Sequence, residues 1–444
     1  MRILSFYGRG RAAAALRCAA AALLWRLCLL AVPAAAEPLY SPAWGFRLDL
    51  PEGYEYREGD GRNTFSFRSP EGAVFDLAVY QGRYASVEAL VNETARRIGS
   101  EGDVSYFDYH GKKAALMELE FAGNEGWGLA VELAAPAEGQ GGAGSRPGAP
   151  PDTPPDTPQG PSKGPPQLLA LAYNPRGKTE LLALHLSCLD SIAPTGAERL
   201  KSGPVTEFGY PRGALKKTPL AGLELEALIA EHDAEGARAL VTREFGILRR
   251  HLFTPDWQEA WVRFYRMIYR DSWERLADAA FQLERYWNGE PGPAAGGVTS
   301  AGTAGLAGSA TAAGTAGAGL ADGERSRELA RKALRWVQGF EYERDLMGSD
   351  FVDLVSAVTE GRGDCDSRAM LWAIVLAQAN IPSSIMVSRE YSHAMGLADI
   401  PGAGARFEAG GKQWLVAETT AAVDIGLIGS GVSDIAGWLA VIFE

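Results

Sequence analysis

Alternating apolar and polar positions run through much of the first 195 residues, and this alternation predicts half-buried β-strands. The predicted strands are Trp44–Pro51, Thr64–Phe67, Ala73–Tyr80, Ala114–Phe121, Gly126–Ala134, Gln167–Tyr173 and Leu181–Leu189. One stretch between them, from Ser86 to Ser100, has helical spacing instead, with Ser86 placed to cap the helix. A sheet flanked by few helices predicts an α+β fold.

Helical spacing takes over from Leu220 to Asn288 and returns from Glu324 to Phe340. The first of these stretches carries a stripe of large apolar residues three and four positions apart. Its members are Trp257, Trp261, Phe264, Tyr265, Ile268, Tyr269 and Trp273. Such a stripe suits a groove for glycan or peptide, but helix–helix packing is its commoner role, and we interpret it as core.

Two low-complexity stretches divide the chain. Residues 137–166 are rich in Pro and Gly, and residues 291–323 consist mainly of Gly, Ala, Ser and Thr. Neither has enough large apolar side chains to offset the entropy of ordering it, so we expect a loop insertion and a flexible linker. The remaining parts are an α+β domain at 37–204, a helical region at 205–290 and a C-terminal domain at 324–444.

The first 36 residues have the charged, apolar and small-residue zones of a secretory signal peptide. Three alanines precede Glu37, which favours cleavage after Ala36. Arg26 interrupts the apolar run, so an uncleaved membrane anchor stays open as an alternative. Leu27 stands directly before Cys28, where a lipoprotein signal needs a small residue. We therefore expect an exported protein, periplasmic or extracellular, without a lipid anchor.

The acidic composition narrows the partners that we expect. The 444 residues include 43 Lys and Arg against 55 Asp and Glu, a formal net charge of -12. No Lys/Arg-rich block interrupts the acidic body, which argues against nucleic acid and against anionic membrane surfaces as partners. Acids such as Asp364 and Asp366 lack the spacing of a metal site, so we expect no metal and no cofactor.

The predicted mature chain keeps two cysteines, which are too few for a disulfide framework. Cys188 lies among leucines in a predicted strand, where we expect a buried and inert thiol. Cys365 instead follows Gly363-Asp364 and precedes the apolar run Ala369–Ala377, which predicts a helix that starts at the cysteine. The N–H groups and the positive end of the dipole at a helix start favour a thiolate.

A cysteine nucleophile needs a base and a residue that orients this base. His393 is the histidine of the C-terminal region, and it begins a strand-like segment, so it can exchange a proton with the thiol. Glu418 ends the run Gln413–Ala417 and can hold the imidazole in one tautomer and orientation. Asp424, a few residues further on, is the alternative carboxylate.

This joint pattern resembles the transglutaminase-like cysteine-enzyme superfamily of papain-like topology, over residues of about 324–430. The matching segments are Gly363-Asp364-Cys365, Ala379-Asn380-Ile381-Pro382, Ser384–Ser388, His393-Ala394 and Trp414-Leu415-Val416-Ala417-Glu418-Thr419-Thr420. The resemblance implies that Cys365 is the nucleophile, His393 the base and Glu418 the orienting residue. Glu418 departs from the usual Asp, and Met395 stands where an aromatic residue is common.

Acyl transfer also requires hydrogen-bond donors to the oxyanion, and the backbone N–H of Cys365 is the first of these. The resemblance implies a second donor upstream. Three residues are candidates for it: Gln338, Trp336 and Tyr342.

The N-terminal pattern resembles the Mog1/PsbP-like fold over residues 37–195. The resemblance is carried by the opening Gly45-Phe46-Arg47-Leu48-Asp49-Leu50-Pro51, by the helix after Ser86, and by the closing Leu186–Ile192. It implies a non-enzymatic module that docks a partner, interrupted by the insertion at 137–166.

The combined prediction is an exported cysteine enzyme that acts on amide or peptide bonds through an acyl-thioester. Resolution of the thioester by water would make it a peptidase or amidase, and resolution by an amine would make it a cross-linking transglutaminase. The expected partner is a protein or peptide substrate, including one of the cell envelope. The alternative is a binding or scaffolding protein of the envelope that keeps a catalytically degenerate module.

Overall fold

The computed structural model describes residues 38–134, 164–290, 316–344 and 349–443. These residues form a mixed α+β structure, so the predicted α+β class is confirmed. The predicted signal peptide lies outside the described residues, as do most of the insertion and most of the linker. Among the described helices, none is long and apolar enough to cross a bilayer.

The N-terminal part is built on one antiparallel sheet. Its strands, with a short preceding pair, are β1 (Leu39–Tyr40), β2 (Arg47–Leu48), β3 (Glu55–Glu58), β4 (Thr64–Arg68), β5 (Val74–Tyr80), β6 (Val104–Tyr109), β7 (Lys112–Phe121), β8 (Asn124–Glu132) and β9 (Gln167–Pro175). Strands β3 to β9 pair in the order β3-β4-β5-β9-β8-β7-β6. Helix α1 (Val87–Ile98) covers one face, and Ser86 caps it by accepting from the N–H of Ala89, as predicted.

The predicted strand at Leu181–Leu189 is wrong, because this segment forms helix α2 (Leu182–Asp190). The segment contains no β-branched residue, and Leu and Ala favour a helix. Its buried residues lie on more than one side of the helix, which hides the 3.6-residue period. Cys188 is fully buried in this helix, and burial raises the pKa of its thiol to about 12.

The chain between the two main sheets is largely helical. Its elements are α3 (Pro204–Gly209), β10 (Leu215–Pro219), β11 (Glu226–Ala230), α4 (Asp233–His251), α5 (Trp257–Arg275), α6 (Ala277–Trp287) and α7 (Ala316–Gln338). The prediction of helix from Leu220 is wrong at β11, where Ala227 and Ile229 are buried, Leu228 is exposed, and the strand pairs with β10. Helix α7 begins at Ala316, inside the stretch predicted as a linker.

The C-terminal part places one buried helix on a five-stranded antiparallel sheet. The elements are β12 (Glu341–Tyr342), α8 (Leu354–Glu360), β13 (Arg362–Gly363), α9 (Cys365–Gln378), β14 (Ser383–Ser388), β15 (His393–Ala398), β16 (Arg406–Ala409), β17 (Lys412–Ala417) and β18 (Leu439–Val441). The strand order is β16-β17-β15-β14-β18. Gly396 of β15 leaves room for the ring of Trp372, because a Cβ at this glycine would overlap the ring.

Helix α5 joins the two parts. On one face, Arg263 donates to the carboxylate of Glu244 (2.8 Å) and to the main-chain oxygen of Asp49 (2.9 Å), and Arg270 donates to three carbonyls of the N-terminal part. Burial of an arginine is costly unless its N–H groups find acceptors, so these hydrogen bonds hold helix α5 against the N-terminal part. On another face Phe264, Tyr265 and Ile268 are buried, which confirms the packing interpretation for these residues.

Candidate functional site

Cys365 is the first residue of helix α9, and a capping box determines where this helix starts. The carboxylate of Asp364 accepts from the N–H of Ser367 (2.8 Å), and the hydroxyl of Ser367 accepts from the N–H of Asp364 (3.0 Å). Arg368 donates to the carbonyl of Phe340 (2.7 Å) and ties the helix to the segment after α7. The cysteine side chain is held in the first helical turn with only 7% of its surface exposed.

The packing of α9 on β15 brings Cys365 to His393. The Trp372 ring lies on Gly396, and Cys365 is seven helical positions before Trp372, about 10 Å along the axis. His393 is three strand positions before Gly396, again about 10 Å. The N–H of Ala394, next to His393, hydrogen-bonds the sulfur of Cys365, so the two elements run in the same direction. Cysteine and histidine therefore line one cavity.

Glu418 holds the imidazole of His393. Its Oε2 lies 2.8 Å from Nε2 of His393, and its Oε1 accepts from the N–H and the hydroxyl of Thr420, each at 2.7 Å. Burial opposes ionisation of Glu418, but these hydrogen bonds outweigh it and keep the pKa below its ordinary value. With Nε2 engaged by Glu418, Nδ1 of His393 is the nitrogen available for the thiol.

The alternative carboxylate, Asp424, has a different partner. Its side chain is half exposed and pairs with Arg331 at 2.9 Å. Glu418 is thus the acid that contacts the imidazole, and its additional methylene, compared with Asp, still allows a bond of ordinary length.

The cavity around Cys365 and His393 has a volume of about 450 Å³. Helices α4 and α5 supply an apolar wall to it, and the charged groups at its sides come from the C-terminal part. The wall includes Phe245, Leu252, Trp261, Phe264 and Tyr265, and the charged residues include Arg344, Asp350 and Arg389. The helical region at 205–290 therefore contributes directly to the site.

Tyr265 and Asp366 were not predicted as site residues. Tyr265 is buried, and its hydroxyl hydrogen-bonds Asp366, whose Oδ1 lies 3.9 Å from the sulfur of Cys365. Burial raises the pKa of Asp366 to about 6, although the Tyr265 hydroxyl and the charge of His393 act in the opposite direction. Burial also raises the pKa of Tyr265 well above 10, so its hydroxyl remains a donor.

The environment of the sulfur disfavours a resting thiolate, which corrects the expectation from the helix start. Burial, then the carboxylates of Asp366 and Asp364, raise the pKa of Cys365 far above its ordinary value, and the N–H of Ala394 offsets only part of this. Two nearby carboxylates outweigh the partial charge of a helix dipole. The thiol is therefore protonated at rest.

The three residues predicted as candidates for the second oxyanion donor have different surroundings in the structure. Gln338 donates to the carbonyls of Glu418 (2.8 Å) and Val423 (2.9 Å), and it supports the main chain beside the carboxylate. Trp336 donates to the carbonyl of Ala221 (2.8 Å) and lines a different cavity. Tyr342 lines the cavity of Cys365, with 52% of its surface exposed.

Tyr265 also lines this cavity, and its hydroxyl is engaged by Asp366. In the sequence, Tyr265 belongs to the aromatic stripe of α5. We interpret this stripe as core, because residues that pack in a core and residues that line a cavity have the same spacing along a helix.

Within the described residues, Asp364, Cys365 and Asp366 have ligand atoms within 4.8 Å of one another. The carboxylate of Asp364 already serves the helix cap through the N–H and the hydroxyl of Ser367. We assign no metal to this group, because an acidic cluster that caps a helix does not by itself make a cation site.

No protein-family model matches the sequence, and no curated protein is significantly similar to it.

Proposed function

We propose that this protein is an exported transglutaminase-like cysteine enzyme that acts on amide or peptide bonds of protein or peptide substrates. The single observation that carries the proposal is the contact between Nε2 of His393 and Glu418 at 2.8 Å, in the cavity that also contains Cys365. Cysteine, imidazole and carboxylate in this arrangement have the roles of nucleophile, base and orienting group. The N-terminal part would be a Mog1/PsbP-like docking module.

The proposed reaction begins with a neutral thiol. Nδ1 of His393 takes the proton of Cys365 as the sulfur attacks the substrate carbonyl, and Glu418 stabilises the imidazolium that forms. The oxyanion accepts from the backbone N–H of Cys365, with the hydroxyl of Tyr342, which lines the same cavity, as the proposed second donor. The imidazolium then protonates the leaving amine, the C–N bond breaks, and a thioester remains.

Resolution of the thioester repeats these proton transfers in reverse order. Water or a second amine gives a proton to His393 as its oxygen or nitrogen attacks the thioester carbonyl. The C–S bond then breaks, and the sulfur recovers the proton. Water gives hydrolysis and an amine gives transamidation, and both products are compatible with the proposed site.

One observation favours the second candidate, a binding or scaffolding protein with a degenerate module. The raised pKa of Cys365 leaves little thiolate at neutral pH, which is typical of an inert cysteine. The two candidates differ in one measurable respect. In an enzyme, His393 assists ionisation of the thiol, whereas in a scaffold the thiol is independent of the histidine.

Alkylation of residues 37–444 with iodoacetamide tests the proposal, with the rate at Cys365 followed by mass spectrometry between pH 6 and 9. In an enzyme, His393→Ala slows this alkylation at least fivefold at pH 7 and removes amine incorporation into casein and its cleavage. Cys188, buried in α2, is the internal reference in every sample. Equal alkylation rates with and without His393, together with no turnover of casein, favour the scaffold.

A further inference from the structure

A second cavity lies where the N-terminal part, helix α5 and the end of the chain meet. Its volume is about 90 Å³, the space of about three water molecules, and it shares no lining residue with the cavity of Cys365. Among the residues that the structure describes, four arginines and one carboxylate line it. The charged lining residues are Arg47, Arg199, Arg266, Arg270 and Asp49.

This carboxylate already has two arginine neighbours. Arg266 donates to both oxygens of Asp49 in a bidentate pair, at 2.9 Å each, and Arg263 approaches the same carboxylate at 3.8 Å. The carboxylate of Asp49 is therefore engaged by arginines of α5, and among the described residues it forms no ion pair with Arg47 or Arg199.

The other three arginines lack a carboxylate partner within the described ranges. Arg270 is 8% exposed and donates to the carbonyls of Lys201, Asp190 and Ile192, which carry no net charge. The guanidinium of Arg47 lies over the ring of Tyr40, at 5.7 Å from its centroid. Like charges around so small a space repel one another, and an anion between them would remove this repulsion.

We propose that this cavity binds a small oxyanion, a phosphate or carboxylate group, through Arg47 and Arg199, with Arg266 and Arg270 contributing charge. The planar fork of a guanidinium matches both groups bidentately. The stacked rings of Tyr269 and Phe443, whose centroids are 4.1 Å apart, form an apolar side against which the body of an organic anion packs.

The site bridges elements that are distant in sequence. Arg47 belongs to β2, Arg199 to a 3-10 turn at Gly196–Leu200, and Arg266 to α5. A bound anion would thus stabilise the docking of the N-terminal part on α5. The proposal goes beyond the proposed function and does not depend on it, since no residue of the cysteine site takes part.

Inorganic phosphate is the first probe. We expect a saturable rise in the thermal midpoint of residues 37–444 as phosphate increases, at ionic strength held constant with sodium chloride. In Arg47→Gln, Arg199→Gln and the double variant, the phosphate concentration at half-effect rises at least tenfold. Without phosphate, these variants melt at an unchanged or higher temperature, because repulsion is relieved. Arg57→Gln, at an exposed arginine of β3, is the matched control and keeps the full response.

Two further measurements decide the outcome independently of variant folding. Equilibrium dialysis of the unsubstituted protein with phosphate should give one site per chain, and phenyl phosphate should bind several-fold tighter if the ring stack contributes. A free phosphate site without an apolar subsite would give equal affinities. Absence of saturable binding, or an equal phosphate response in the double variant and in Arg57→Gln, overturns the proposal.

Discussion

Replacement of Asp366 by Asn should make Cys365 more reactive. The carboxylate lies 3.9 Å from the sulfur and opposes its ionisation. Two unit charges at this separation interact by about 4 kcal/mol at an effective dielectric constant of 20. Because water screens part of this interaction, we take about 1–2 kcal/mol, a five- to thirtyfold larger thiolate population in Asp366→Asn at pH 8.

The dependence on pH has a defined sign. The pKa of Asp366 is raised to about 6, so its carboxylate is ionised at pH 8 and mostly protonated at pH 5. Both proteins therefore carry a neutral side chain at pH 5, and their alkylation rates should converge there. The alkylation rate of Asp366→Asn should exceed that of the unsubstituted protein once the pH rises through about 6.

The assay is carbamidomethylation of Cys365 by iodoacetamide, with rate constants measured by mass spectrometry from pH 5 to 9. Cys188 reports any general loosening of the structure, and Asp399→Asn, which removes an exposed partner of Lys412, is the control for net charge. Identical profiles for Asp366→Asn and the unsubstituted protein at pH 8 would refute the electrostatic reasoning. So would an increase of equal size at pH 5.

Three further substitutions test the site and the packing beneath it. Glu418→Gln keeps a hydrogen-bonding side chain but removes the charge that stabilises the imidazolium, so we expect about a hundredfold loss of turnover on casein, and unchanged turnover would contradict the role of the carboxylate. Tyr342→Phe should lower kcat about tenfold or more with little change in KM, and an effect on KM alone would contradict the role of its hydroxyl as oxyanion donor. Gly396→Ala places a methyl group against the ring of Trp372 and should lower the free energy of unfolding in urea by about 1–3 kcal/mol, whereas Gly246→Ala, where the added Cβ meets open space, should not.

Local signals made part of this structure predictable. The helix that starts at Cys365, the strand that starts at His393 and the strand that ends before Glu418 each depend on a short apolar pattern with a polar residue at its end. The contact between His393 and Glu418 follows from these elements, because β15 and β17 are neighbours in the sheet.

Other features depend on tertiary surroundings that no local pattern encodes. Burial of Leu182–Asp190 on several sides hides the helical period of this segment, and the sequence pattern therefore predicts a strand there. The high pKa of the thiol depends mainly on its burial, which the sequence does not show, although the two acids that flank Cys365 are visible in it. Tyr265 reaches the site from a helix 100 positions upstream, where its spacing indicates only core.

The carboxylate of Asp364 affects both the stability of helix α9 and the reactivity of Cys365. The carboxylate that starts helix α9, a contribution of about 1 kcal/mol to folding, is also one of the two that suppress ionisation of Cys365. A variant that loses this acid would have a more nucleophilic sulfur but a less stable start of helix α9. A variant that keeps the acid for stability would keep a thiol of low reactivity. Directed evolution of this protein should therefore reach higher reactivity through Asp366, which has no part in the cap.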